Sequence, residues 1–310
     1  MSLLLDGLRR ALPGRTISGL DPLSAGWETD VYGFLADQRP LVLRVYSGGD
    51  RWDRATTEAR AMELLGRLEY PIPRLVAFNS DSTLFGGAYL IMERISGQVM
   101  WRHFGHATQD PPQMRLACSL LRRLHGLDAT GFAAINSFDI ATLRWIAGDL
   151  SAAFEPVFTA LQQQEPLVGR ERRSLIHGDF HFDNILIGPG EAPAVIDWSC
   201  AALDDPRVDV AQAMVLAMTN GNPAQAELWQ KGYEELSGGP LPHLDWFIRL
   251  CLTRRLMTVV VTMVQGSSAI GLRPGLEGEL RKQAPRVREL VGLLEQLSGV
   301  ALPGVHEVLA

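Results

Sequence analysis

The stretch LIHGDFHFDNILIG, Leu175 to Gly188, packs two histidines, two aspartates and an asparagine between apolar runs. Three chemistries could use such groups: metal-dependent hydrolysis, phosphate transfer, or simply a solvated turn. The residues that follow narrow the choice. Two apolar runs, NILIG and PAVIDW, flank PGEA. Turn residues between two short β-prone runs predict a hairpin. Asn184 opens the first strand and Asp197 closes the second, so an antiparallel pairing sets an amide oxygen beside a carboxylate. Asp179 lies a few residues upstream. Hard oxygen donors of this kind suit Mg²⁺, which keeps some waters and takes other ligands from substrate phosphates.

The spacing His-x-Asp-x-x-x-x-Asn, from His177 through Asp179 to Asn184, matches a kinase catalytic loop, and Asp197 follows in an IDW triplet where a second metal-binding aspartate is expected. On these motifs the chain resembles the aminoglycoside phosphotransferase and choline kinase-like family, over about Leu23 to Thr262. That resemblance implies an α+β, protein-kinase-like bilobal fold. It implies a small nucleotide-binding lobe over residues 1–94 and a larger, mainly helical catalytic and substrate-binding lobe over 95–310. It also implies ATP and Mg²⁺, with Asp179 as catalytic base, Asn184 and Asp197 as metal ligands, and His177 supporting the loop from behind. The acceptor would be a hydroxyl of a small molecule, aminoglycoside-, choline- or sugar-like; its identity and the choice between ATP and GTP stay open.

The remaining candidates lie in the first third of the chain. LSAGWETDVYGF, Leu23 to Phe34, reads as strand–turn–strand, and the resemblance places backbone N–H groups around Gly26 to Thr29 near phosphates. PLVLRVY, Pro40 to Tyr46, reads as a strand with Leu41, Leu43 and Val45 on one face and Val42, Arg44 and Tyr46 on the other. The family expects a lysine here, paired with a glutamate on the next helix. This chain has Arg44, and Glu58 on the helix expected over Asp53 to Tyr70 is its natural partner. YLIMERISG resembles the connector between lobes. Aligned on Gly97, Met92 would sit behind adenine, with the Glu93 carbonyl and the Ile95 N–H on its edge.

Beyond Gly97 the pattern is mostly helical: roughly Pro112 to Leu127, Ile140 to Gln164, Arg207 to Thr219, Pro223 to Leu236 and Leu244 to Val264. Asp205 before Pro206 marks a helix start. Asp209 resembles the family aspartate that braces the catalytic loop through backbone N–H groups. Asp204 reads as a solvated turn residue. Asp204, Asp205, Glu234 and Glu235 are compatible with a cationic acceptor.

Two rival readings remain. His177, Asp179, His181 and Asp183 alternate, and in an extended chain would share one face as a hydrolase metal centre. The missing lysine also allows a nucleotide-binding protein without turnover. The formal net charge of −6 argues against general nucleic-acid binding. Three scattered cysteines fit a reducing cytoplasm, and the most apolar window, Leu256 to Val264, is too short to span a bilayer. The opening residues lack the apolar core of a signal peptide.

Overall fold

The computed structural model describes residues 2–310 except 47–51, 81–82, 101, 103–110, 133–136, 170–172, 189 and 191. His103 and His106, and two residues of the expected PGEA turn, lie outside the described residues.

Alternating apolar residues build the small lobe. Strands β1 (Ile17–Ala25), β2 (Asp30–Ala36), β3 (Arg39–Val45), β4 (Leu75–Asn79) and β5 (Tyr89–Glu93) form one antiparallel sheet in the order β1-β2-β3-β5-β4. The two faces of β3 divide as the alternation predicts. Leu41, Leu43 and Val45 pack with Phe34, Tyr89, Ile91 and Leu8, the last from helix α1 (Ser2–Ala11). On the other face Tyr46, Leu90 and Met92 join Ala55, Ala59, Met62 and Leu65 of α2 (Arg54–Arg67). The expected helix to Tyr70 is shorter because Glu69 turns left-handed at φ 53°. The N–H groups of Glu69 and Tyr70 then return to the carbonyls of Gly66 and Leu65, at 3.3 and 2.9 Å, satisfying the last turn.

The large lobe is helical: α3 (Pro111–His125), α4 (Ile140–Ala147), α5 (Ser151–Val168), α6 (Arg207–Thr219), α7 (Pro223–Ser237) and α8 (Leu244–Gln265). Helix α6 is buried almost throughout, which its apolar residues on every side require. The single helix expected over Ile140 to Gln164 is two, since Gly148 adopts φ 52° and opens a short 3₁₀ turn. The chain ends in α9 (Leu276–Lys282), α10 (Ala284–Ser298) and α11 (Pro303–Val308), packed on this lobe.

Short strands carry the motif between the lobes. β8 (Ile185–Ile187) pairs antiparallel with β9 (Ala194–Val195), the expected hairpin, and with β6 (Gln98–Val99) from the lobe connector. β7 (Ser174–Ile176) pairs with β10 (Ala202–Asp204). The connector docks backbone to backbone: a Cβ at Gly97 would stand 2.6 Å from the Ile187 carbonyl oxygen. Among the described residues no helix is long and apolar enough to cross a membrane.

Gly97→Ala should push β6 off β8 and destabilise the protein by about 1–3 kcal/mol, the scale of overpacking a close contact. Urea unfolding checks this; an unchanged midpoint would mean the backbone shifts freely.

Candidate active site

The segment that carries the His-x-Asp-x-x-x-x-Asn motif is held from below by one carboxylate. Asp209, on the first turn of α6, is fully buried and accepts from the His177 N–H at 2.8 Å and the Gly178 N–H at 2.7 Å. His125 Nε2 lies 3.0 Å from the same group. This is the bracing role expected for Asp209. Gly178 takes φ 78°, and a Cβ there would meet the Cys200 carbonyl and the Phe138 ring. That turn breaks the alternation an extended chain would have. His177 therefore points inward, fully buried, its Nε2 3.0 Å from the Ile196 carbonyl and its ring against Trp198. His181 faces the cleft instead. The shared face needed for the hydrolase centre does not form, and among the described residues no three His, Cys, Asp or Glu side chains group as a metal site.

Asp179 opens onto a cavity of about 970 Å³, lined also by Gly26, Thr29, Arg44, Asn184 and Asp197. Gln212, one helical turn after Asp209, donates Nε2 to Asp179 Oδ1 at 3.2 Å. His181 Nε2 lies 3.6 Å from Asp179 Oδ2, and its Nδ1 lies 3.5 Å from Asp183 Oδ2. Burial disfavours charge on His181, but the two carboxylates outweigh it and push the pKa up to about 10. Burial opposes ionisation of Asp179 as well; His181 and Gln212 overcome it and hold that carboxyl well below the usual range. His181 sits at the cleft between the two carboxylates, consistent with a packing or substrate-side role.

The hairpin brings Asn184 beside Asp197: the Ile196 N–H donates to the Asn184 carbonyl at 2.9 Å. Asn184 Nδ2 donates to the Asp179 carbonyl at 2.9 Å, which leaves Oδ1 to act as a ligand. Asp197 adopts φ 66° and accepts from Arg44 and Ser199 through Oδ1 only, so among the described residues Oδ2 is uncommitted. An amide oxygen and a carboxylate oxygen thus fit a hard cation.

Arg44 crosses the junction. Its Nη1 donates to Glu58 Oε1 at 2.9 Å, its Nη2 to Asp197 Oδ1 at 2.7 Å, and its Nε to Thr29 Oγ1 at 3.2 Å. Glu58 also accepts from Tyr46 at 2.8 Å and the Trp198 N–H at 3.3 Å. Burial raises the Glu58 carboxyl to about 6 even beside Arg44. The Gly26 N–H closes the β1–β2 turn onto the Thr29 carbonyl at 3.0 Å, so that donor is used within the turn. The large lobe reaches this turn: the Arg273 N–H donates to the Trp27 carbonyl at 2.7 Å.

Not every expected residue lines the cavity. Met92 is buried under α2, Glu93 binds Arg74 at 2.9 Å, and Ile95 is half-buried on the connector; none of the three reaches the cavity wall. Asp204 is buried, accepting from the Asp205 N–H at 2.8 Å, because its position is a strand end and not a solvated turn. Asp205 is buried against Arg207 at 2.7 Å, and neither Glu234 nor Glu235 lines the cavity. The acidic groups read as suiting a cationic acceptor are therefore elsewhere. Gln212, Arg254 and Arg255 line it unforeseen, with no local motif to mark them.

A five-stranded antiparallel lobe, a helical lobe and this loop between them define a protein-kinase-like phosphotransferase. The chain belongs to the phosphotransferase enzyme family called APH, whose model matches residues 19–246. Choline kinase LicA from Streptococcus pneumoniae superposes with a TM-score of 0.68 at 16% identity, over 95% of this chain and 98% of that one. A thermostable mutant of aminoglycoside phosphotransferase APH(4)-Ia, in ternary complex with AMP-PNP and hygromycin B, gives 0.64 at 20% identity, over 95% and 98%. Acyl-CoA dehydrogenase family member 10 from Mus musculus is 29% identical over 57% of this chain. The chain spans about a fifth of the length of that relative, since the match covers 18% of it.

The His181 shift has a definite sign. Its folded pKa of about 10 lies above its ordinary 6.5, so its stabilisation is complete below pH 6.5 and is lost as pH rises towards 10. Metal-free protein should lose stability across that window, and His181→Gln should flatten the loss. Thermal unfolding with chelator from pH 6 to 10 checks this; parallel curves for the two proteins would contradict it.

Proposed function

We propose that this protein transfers the γ-phosphate of ATP to a hydroxyl of a small molecule. The observation that carries the reading is convergence: Asp179, Asn184, Asp197 and Arg44 line one cavity at the lobe junction. Residues 1–94 would bind the nucleotide and 95–310 would supply the catalytic loop and acceptor wall. Asp179, ionised and oriented by Gln212, would accept the acceptor's hydroxyl proton. Asn184 Oδ1 and Asp197 Oδ2 would hold Mg²⁺, which when bound neutralises charge between the phosphates. Arg44 would take the place of the family lysine. A guanidinium keeps its charge and its planar fork can hold a carboxylate and a phosphate oxygen together. Thr29 and Gly26 would border the phosphates. Met92, Glu93 and Ile95 would meet adenine only if the cleft extends along the connector when nucleotide enters.

Asp179→Asn should keep Mg-ATP binding and lower turnover by roughly 10²-fold or more. An ADP-release assay across hydroxylated metabolites, with calorimetry of ATP binding, is the test; wild-type turnover in the mutant would remove Asp179 as base. Mg-ATP binding without transfer to any acceptor would instead favour a nucleotide-binding protein without turnover.

Arg44→Ala should lower kcat/KM for ATP by about 10²-fold, the scale of losing a preorganised charge donor. Glu58→Ala should cost less, and the double mutant less than the sum of the two. Strict additivity in this cycle would show that the two side chains do not act as a pair.

A further inference from the structure

The cavity runs past Asp179 to a second wall built from α3, α6, α7 and α8 and the α6–α7 turn. This wall presents the amides of Gln113, Asn220, Asn222 and Gln225 beside Trp229 and, among the described residues, no carboxylate. The carboxylates that do line the cavity already face cations: Glu28 faces Arg54, Asp197 faces Arg44, and Asp179 and Asp183 face His181. Among the described residues, no lining carboxylate is left without a cation beside it.

The cations differ in the same respect. Arg44 is held by Glu58 and Asp197. Arg254 donates to the Gly178 carbonyl at 3.3 Å and lies over the Phe138 ring at 4.1 Å, propping the catalytic loop. Arg255 lines the cavity with no such partner. Its Nε is buried without a hydrogen bond, and no carboxylate pairs with its guanidinium among the described residues. Its Cζ lies 5.9 Å from the centroid of the Trp27 ring. A guanidinium does not shed its charge, so a poorly solvated one calls for an anion to complete it.

The nucleotide phosphates and the acceptor are both possible sources of that anion. The geometry favours the acceptor. Arg255 projects from the large-lobe helix α8, one turn before Thr258, which also lines the cavity. Burial depresses its pKa, and the one charge that counters this is Asp179, the residue that would face the acceptor hydroxyl.

We infer that Arg255 binds an anionic group, carboxylate or phosphate, carried by the acceptor, so that the substrate class is hydroxylated anions and not cationic alcohols. This rests on the phosphotransferase reading. It is a claim about specificity and adds no step to the transfer.

The test uses the full chain loaded with Mg-AMP-PNP for calorimetry, and with Mg-ATP for turnover. The probes are hydroxy acids from glycerate to gluconate, glycerol phosphate, neutral glycerol and sorbitol, and cationic choline and an aminoglycoside. Anionic probes should bind best, and the hydroxy acids set against glycerol phosphate tell carboxylate from phosphate. Arg255→Gln should weaken the favoured anion about tenfold to a hundredfold, the worth of one charged hydrogen bond, with KM for ATP held. Arg255→Lys should recover part of the loss and so guard against misfolding. Tighter binding of the neutral or cationic probes, or no anion binding at millimolar concentration, would overturn the inference. So would an Arg255→Gln protein with raised KM for ATP and unchanged anion binding, which moves Arg255 to the nucleotide. Failure of the phosphotransferase reading looks different: the anion binds through Arg255 and no phosphate leaves ATP.

Discussion

One guanidinium joins the two lobes. Arg44 sits on β3 of the small lobe, and its three donor directions reach Thr29, Glu58 on α2 and Asp197 on the large lobe. A lysine ammonium is a point charge on a flexible stem, whereas a planar fork can satisfy two carboxylates lying in different directions. Burying these charges is costly, and further hydrogen bonds to the two carboxylates offset part of that cost. Tyr46 and the Trp198 N–H fill those of Glu58, and Ser199 shares Asp197. The arrangement also places one cation between two carboxylates, which leaves the junction short of positive charge. That deficit suits a divalent metal bound by Asn184 and Asp197.

The second constraint is helix α6. Its burial on nearly every side makes it the fixed element against which the loop is set. Asp209 and Gln212 are three residues apart and so lie on one face. The first holds the backbone of His177 and Gly178, and the second orients the Asp179 carboxylate. The bracing of the loop and the orientation of Asp179 thus come from one rigid helix, which is where precise positioning is least expensive in entropy. The Asp209 carboxylate tolerates full burial because two backbone N–H groups and His125 surround it.

Local features of the chain were legible. The hairpin from Asn184 to Asp197 and the strand face of Arg44 follow from spacing and period within short windows, and the pairing of Arg44 with Glu58 is what the family resemblance implies. Helix α6 begins and ends where its residues suggest, at Arg207 and Thr219. Errors arose where a single backbone angle interrupts a period. Gly178 at φ 78° turns His177 and His181 apart, and Gly148 at φ 52° divides a helix that reads as continuous. Asp204 misled for a related reason: its charge suggests water, but the pairing of β10 with β7 carries it inside.

The amino-acid sequence by itself determined the family, the catalytic and metal-binding candidates and the two-lobe plan, because those depend on residues close together in the chain. Only the tertiary structure decided what surrounds Asp179. Gln212 meets it from 33 residues away, and Arg254 reaches Gly178 across 76. The same holds for Arg255, whose lack of a carboxylate partner among the described residues becomes visible only once the neighbouring helices are in place. Such contacts leave no periodic or spacing signal, since the chain is free to bring any distant helix face to the cleft. The packing of α6 and α8 against the motif therefore shaped the cavity wall beyond Asp179, while the motif itself was written locally.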